Sequence, residues 1–164
     1  MTEWNRRGAL VLLLVGCAAG CDAPTSQTPS ADSSAAAPPY QLVVDDKQLM
    51  DWIIDPTTDV IWGAAGSIIT EEGEQALAPT TEEGWNAVRN AAAQLAESAN
   101  LLMLPGRARD GGWVEISGGL REVALQALAA AEAHDEEALF QAGANIYNVC
   151  VACHQVYIFE PAGA

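Results

Sequence analysis

The sequence predicts an all-α protein, folded as an antiparallel four-helix bundle, and three observations lead to this prediction. Residues 40–164 are rich in Ala, Leu, Glu and Gln, which are good helix formers. Apolar residues recur there at intervals of three and four, the spacing of one helix face. Strand signals are almost absent, and 164 residues hold about one domain. Four helices with one apolar face each bury those faces most simply in a bundle.

Residues 1–39 are predicted to lie outside that domain. Arg6 and Arg7 precede an apolar run and a group of small residues, which is the pattern of a signal peptide over residues 1–16. The run is shorter than the roughly 20 residues that a membrane span needs. Residues 17–39 are mostly Ala, Ser, Thr and Pro and cannot bury enough apolar surface to fold, so we expect a disordered tether.

The end of the signal segment also indicates a lipid anchor. Leu14-Val15-Gly16-Cys17 resembles the bacterial lipoprotein box, in which the cysteine is acylated and becomes the new N-terminus. Cys17 is therefore the predicted lipidation site, and Cys21, after a weaker match, is the alternative. Cleavage by the ordinary signal peptidase fits the same small residues. Each alternative predicts export to the periplasm, and lipidation adds attachment to the membrane.

The charge of the chain restricts its partners. Seven basic residues stand against 22 acidic ones, which gives a formal net charge of -15. Such a chain repels nucleic acid and anionic lipid headgroups. Nucleic acid is therefore excluded as a partner, and partners with basic surface patches are favoured.

The first predicted helix runs from Gln41 to Ile54. Pro56 is expected to interrupt it, because proline lacks the N–H that a helix interior needs. A short helical continuation is predicted to reach Trp62. The predicted break comes soon after Met50 in the sequence.

The second predicted helix has the clearest period, with apolar residues at intervals of 3, 4, 3, 4 and 3 from Trp85 to Leu102. Thr80 and Glu83 have the spacing of a capping box at its start. Pro105-Gly106 is the predicted end.

The third and fourth predicted helices fill the rest of the domain. The third spans Ser117 to Ala133, after a Gly-rich loop. The fourth starts near Asp135 and runs past Tyr157. One apolar stripe of the fourth helix contains Leu139, Ala142, Ile146, Cys150, Cys153 and Tyr157.

The fourth helix contains the motif Cys150-Val151-Ala152-Cys153-His154, which is the pattern for c-type haem attachment. Two thiols at this spacing can add to the two vinyl groups of one porphyrin, and the adjacent histidine can then donate an imidazole nitrogen to the iron. On a helix, positions 150, 153 and 154 share one face. The motif therefore predicts one covalently bound haem c with His154 as an axial iron ligand.

Other chemistry for the two cysteines is less favoured. A thioredoxin-like redox pair needs a βαβ context that this chain lacks. A zinc site needs further Cys or His, and His134 is the only other histidine. A disulfide between Cys150 and Cys153 is strained in the middle of a helix.

With the motif on the last of four helices, residues 40–164 resemble the class II c-type cytochromes, the cytochrome c-prime family. The resemblance implies that the first helix faces the open side of the haem. One subgroup places a methionine of that helix on the iron, is low-spin and transfers electrons. The other leaves the iron five-coordinate and binds nitric oxide or carbon monoxide. Tyr157 fits the family pattern, but Ile158 replaces the basic residue that often follows it.

Met50 is the candidate for the second axial ligand, because it lies on the first predicted helix. A methionine beside Leu49 and Ile53 is also an ordinary core residue. Two weaker candidates are Met103, near the end of the second helix, and His134, in the turn before the last one. A histidine near a helix end is more often solvated.

Several other residues have two interpretations. Arg107 and Arg109 lie in the loop before the third helix, where they could pair with haem propionates or be solvated. Tryptophans are predicted to belong to the core or to the wall of the haem pocket. They are Trp52, Trp62, Trp85 and Trp113.

The function predicted from the sequence is a membrane-tethered electron carrier with a single haem c, bound by His154 and Met50. Such a protein is not an enzyme, because the cofactor carries the electron and the chain tunes its potential. Its expected partners are exported redox proteins. A second copy of the chain, in a homodimer, is a further candidate partner. The alternative is a five-coordinate protein that binds small gases. A peroxidase would need a distal His or Arg on the first helix, which the sequence lacks.

Overall fold

The computed structural model describes residues 39–158. The predicted signal peptide, nearly all of the predicted tether, and both candidate lipidation residues, Cys17 and Cys21, lie outside the described residues. The described chain is mostly helical, which confirms the all-α class, and it contains one small hairpin.

The first helix is continuous but changes its hydrogen-bond pattern along its length. It consists of α1 (Asp46–Leu49), a π-helical turn (Met50–Ile54) and α2 (Asp55–Trp62). The predicted start at Gln41 is wrong, because Asp45 caps the helix. Its side chain accepts the N–H of Gln48 at 2.7 Å, and the side chain of Gln48 accepts the N–H of Asp45 at 3.0 Å. The predicted interruption at Pro56 is also wrong, since the helix runs without a break through Pro56 on its way to Trp62.

A β-hairpin follows the first helix, and the sequence did not predict it. Its strands are β1 (Ser67–Thr70) and β2 (Gly73–Ala76), which pair antiparallel with Ser67 opposite Ala76. All residues of both strands are exposed. Because neither face is buried, the strands lack the alternating pattern by which strands are recognised. The N–H of Leu77 donates to the carbonyl of Gly66 at 2.9 Å and closes the base of the hairpin.

The three long helices are α3 (Glu82–Leu102), α4 (Trp113–Ala133) and α5 (Glu136–Tyr157). The residue that caps α3 is Thr81, not the predicted Thr80, and its hydroxyl accepts the N–H of Gly84 at 3.1 Å.

The predicted boundaries of α4 and α5 need smaller corrections. Helix α4 begins before the predicted Ser117, with Gly112 as its N-cap. His134 ends α4 in the left-handed conformation, with φ of 53°, where glycine is usual. Asp135 then caps α5 by accepting the N–H of Ala138 at 2.9 Å, close to the predicted start.

The helices pack against one another in sequence order. Helix α3 packs along α4, α4 packs along α5, and α2 contacts both α3 and α5. Several alanines at these contacts are fully buried, which lets the helices approach closely. Among the helices between residues 39 and 158, none has the length and apolarity to cross a bilayer. The large side chains with no exposure are Leu49, Ile61, Leu95, Leu139 and Ile146.

Candidate functional site

A cavity of about 480 Å³ is lined by the first helix, the end of α3, the start of α4 and the second half of α5. This volume lies within the roughly 300–1,000 Å³ of small-molecule and cofactor sites. Most of the lining surface is apolar, and the exposed charged residues Lys47, Asp51 and Asp55 also line the cavity. The larger apolar side chains of the lining are Ile54, Trp62, Leu102, Ile116, Leu120, Val149 and Ile158.

All four residues that the sequence singled out for a cofactor line this cavity. Cys150, Cys153 and His154 come from α5, where their spacing puts them on one helix face. Met50 comes from the π turn of the first helix. Each of the four is partly buried. The fold thus brings a local motif together with a methionine that is remote from it in sequence.

Met50 begins the π turn and is bonded to the helix on both sides. Its N–H donates to the carbonyls of Asp46 and Lys47, and its carbonyl accepts the N–H of Asp55. Pro56 gives a reason for the wide turn, because in an α-helix its ring would clash with the carbonyl four residues earlier. Isolated π turns are frequent at functional sites. The proline that was expected to interrupt the helix instead shapes the segment that presents Met50.

Cys150 and Cys153 are free thiols. Burial, helped by the nearby Cys153, raises the pKa of the Cys150 thiol to about 11. Burial also raises the pKa of Cys153, and the positive charge of Arg109 opposes this in part. Both thiols are therefore protonated at neutral pH. Redox-active Cys-x-x-Cys pairs have a lowered pKa instead, so this environment disfavours the thioredoxin-like alternative.

The other histidine and the other candidate methionine do not line the cavity. The ring of His134 stacks on Trp85, with centroids 5.0 Å apart and an interplanar angle of 10°. Its Nδ1 lies 3.7 Å from the carboxylate of Glu82. Met103, at the end of α3, is not among the lining residues either. Between residues 39 and 158 no group of three or more His, Cys, Asp and Glu side chains could hold a metal ion.

Ser117 places an unsatisfied polar group in the apolar wall. Its side chain is buried, and its hydroxyl has no hydrogen-bond partner among the described residues. The hydroxyl of Thr58, also in the wall, donates to the carbonyl of Ile54 at 2.7 Å. Because buried polar atoms nearly always have a partner, an unsatisfied hydroxyl here fits a cavity that receives a ligand.

Sequence analysis missed Asp46, which pairs with both arginines of the α3–α4 loop. Arg107 Nη1 lies 3.1 Å from one carboxylate oxygen, and Arg109 Nη2 lies 2.8 Å from the other. The side chain of Arg107 is only 5% exposed, so the interpretation of Arg107 as a solvated residue is wrong. No sequence signal pairs these residues, because they belong to different elements and follow no common period.

The tryptophans occupy different environments. The indole N–H of Trp62 donates to the carbonyl of Gly143 at 3.0 Å, and its ring meets the edge of Tyr147 at 6.4 Å, beside the cavity. Trp85 and Trp113 are buried, as predicted. Trp52 is 61% exposed, so its assignment to the core or the pocket wall is wrong.

Comparisons of the chain with protein-family models, with curated proteins and with solved structures found no match. The functional assignment therefore depends on the cavity and on the residues that line it.

Proposed function

We propose that this protein is an exported, membrane-tethered cytochrome that binds one haem c covalently and transfers electrons. The observation that supports this most strongly is the common location of four side chains. Cys150, Cys153, His154 and Met50 all line one apolar cavity of cofactor size.

The residues around the cavity fit a haem in number and in kind. Cys150 and Cys153 would hold the porphyrin through two thioether bonds, while His154 and Met50 would bind the iron. When bound, the haem supplies reversible one-electron chemistry. The apolar part of the wall would pack against the haem, and Ser117 offers a hydroxyl that lacks a partner among the described residues.

We also propose the four-helix bundle and membership of the class II c-type cytochromes. The helix contacts support a closed arrangement, since α2 meets α3, α3 meets α4, α4 meets α5, and α5 meets α2 again. The haem motif on α5 and the methionine on the first helix match the low-spin, methionine-ligated subgroup of that family. In such an arrangement the ligands come from the two helices that flank the cavity.

Electron transfer requires no bond-making residue, so we propose a carrier and not an enzyme. With a net charge of -15, its partners would be exported redox proteins that dock through basic patches. Export and attachment to the membrane are proposed from residues 1–16 and from Cys17, with Cys21 as the alternative lipidation site.

The test is covalent haem attachment. The protein is produced together with a c-type maturation system, and the mass of the denatured chain is measured. One haem per chain is expected, and it should resist extraction with acid and organic solvent. The double variant Cys150→Ser, Cys153→Ser should lose that mass, because no thiol of the motif remains.

Cys21→Ser is the matched control, since this cysteine is the alternative lipidation site and is not in the motif. It should keep the haem. Haem that is extractable from the wild type would contradict the proposal. Covalent haem that is high-spin and binds carbon monoxide quickly in the wild type would favour the gas-binding alternative.

A further inference from the structure

Asp46, the first residue of α1, connects the first helix to the loop between α3 and α4. Its carboxylate accepts hydrogen bonds from Arg107 at 3.1 Å and from Arg109 at 2.8 Å. Arg107 also donates to the carbonyl of Val44 at 2.7 Å. Because the Arg107 side chain is buried, the Asp46 carboxylate balances a cation that is removed from water.

The same loop is joined to α5. The Arg109 guanidinium lies 4.7 Å from the centre of the Trp113 ring. Trp113 meets the ring of Tyr157 edge-on, with centroids 4.9 Å apart. The Tyr157 hydroxyl donates to the carbonyl of Asp110 at 3.0 Å. The loop therefore contacts both helices from which the proposed iron ligands come.

We use the name clamp for Asp46, residues 107–112 of the loop together with Trp113 at the start of α4, and Tyr157. Each proposed iron ligand lies about one helical turn from a residue of the clamp. The N–H of Met50 donates to the carbonyl of Asp46. On α5, Tyr157 lies one turn beyond His154, and a turn rises about 5.4 Å. The clamp thus fixes the backbone close to the point where each ligand enters the cavity.

We propose that Asp46 is a positioning residue, which holds Met50 through the clamp at the distance from His154 that lets both side chains bind one iron. This inference rests on the proposed function. Helix α1 is the first turn of the continuous first helix, and the end of a helix frays unless other contacts hold it. Besides its capping box, this turn is held to the rest of the fold by the buried Leu49 and by the ionic pairs of Asp46.

The experiment compares the haem-loaded wild type with Asp46→Asn, which keeps the size of the side chain and removes its charge. Arg107 then lacks its counter-charge, and Met50 should leave the iron in a larger fraction of molecules. The high-spin fraction should rise, and the reduction potential should fall, because a methionine ligand raises it. The apparent affinity for carbon monoxide scales with the fraction of open iron, so a rise on the order of tenfold in that fraction gives a similar gain.

The sign of the shift in potential separates positioning from simple electrostatics. A negative charge stabilises the more positive, oxidised iron, so its removal by itself raises the potential, while the iron stays low-spin. A higher potential with low-spin iron would therefore overturn the proposal. A lower melting temperature with unchanged spin state and unchanged carbon monoxide affinity would show a purely structural role and would also overturn it.

Asp59→Asn is the matched control, because it removes an exposed carboxylate of α2 outside the clamp. Spin state and carbon monoxide affinity should not change in it, and a shift as large as that of Asp46→Asn would overturn the proposal. If Asp46→Asn does not fold, Tyr157→Phe decides, since it removes one hydrogen bond without a change of charge. Tyr157→Phe should raise the high-spin fraction and the carbon monoxide affinity, as Asp46→Asn does. An unchanged spin state would overturn the proposed role of the clamp.

Failure of the proposed function would be recognised in the wild type. A wild type without covalent haem, or with high-spin iron before any substitution, contradicts the electron carrier itself. A low-spin wild type that stays low-spin in both Asp46→Asn and Tyr157→Phe contradicts only the role of the clamp.

Discussion

At the scale of single residues, electron transfer and gas binding differ at Met50. A thioether that binds the iron raises the reduction potential and occupies the position that a diatomic gas would take. In Met50→Ala we therefore expect the low-spin spectrum to become high-spin, the potential to fall, and carbon monoxide to bind. The three changes should appear together, because the loss of one bond causes them all. Optical spectra with and without carbon monoxide, and a redox titration, measure them.

Met103→Ala is the matched control for this substitution. Met103 lies at the end of α3 and does not line the cavity. Its replacement should leave spectrum and potential unchanged. A wild type that is indistinguishable from Met50→Ala would make Met50 a core residue.

The residues of the site differed in how far the sequence could predict them. Cys150, Cys153 and His154 could be named from local spacing alone. Met50 needed the family resemblance, because its neighbours are those of an ordinary core methionine. The contact between Asp46 and Arg107 could not be predicted, since it joins a helix start to a distant loop and depends on the finished packing.

At the scale of elements, the face of α3 that carries Leu95 belongs to the core. Leu95 has no exposed surface, whereas Leu101 on the same helix is 39% exposed. Leu95→Ala should lower the free energy of unfolding by about 2–5 kcal/mol, because it removes buried methyl groups and leaves a cavity. Leu101→Ala should cost less than about 1 kcal/mol. Urea unfolding of both variants measures the difference, and equal losses would contradict the core assignment.

The hairpin should contribute little to the fold. Every residue of β1 and β2 is exposed, and the hydrogen bond from Leu77 to Gly66 holds the two ends together. Replacement of residues 67–76 by a short Gly-Ser connection should keep the haem spectrum and lower the unfolding free energy by no more than about 1 kcal/mol. Calorimetry and absorption spectra provide the check, and loss of haem binding would show that the hairpin supports the site.

The helices were predictable as elements, but their ends and irregularities were not. Apolar spacing located all the long helices, because that spacing follows directly from the burial of one face. Thr80 and Thr81 are both good capping residues, and only the final backbone direction selects Thr81. Pro56 was expected to interrupt the first helix, yet a π turn accommodates it. The hairpin escaped notice because it buries neither face.

At the scale of the whole molecule, the net charge of -15 should control encounters with redox partners. At low salt, a small cationic oxidant should react faster than an anionic one of similar driving force. The ratio of the two rates should fall as salt rises, since the screening length shortens from about 30 Å at 0.01 M to about 10 Å at 0.1 M. Stopped-flow absorption measures both rates. A ratio that does not depend on salt would mean that the surface near the haem is not acidic.

The π turn also changes which residues of the first helix lie on the same side of it. An α-helix rotates about 100° per residue. Over the path from Lys47 to Trp62, a regular helix would therefore complete four turns and rotate about 60° further. Each residue of a wider turn rotates by less than about 100°, so the π turn removes part of this extra rotation. Side chains from both halves of the helix, such as Met50 and Thr58, stay on the wall of one cavity. A cofactor in this cavity would then meet side chains of the first helix from both sides of Pro56.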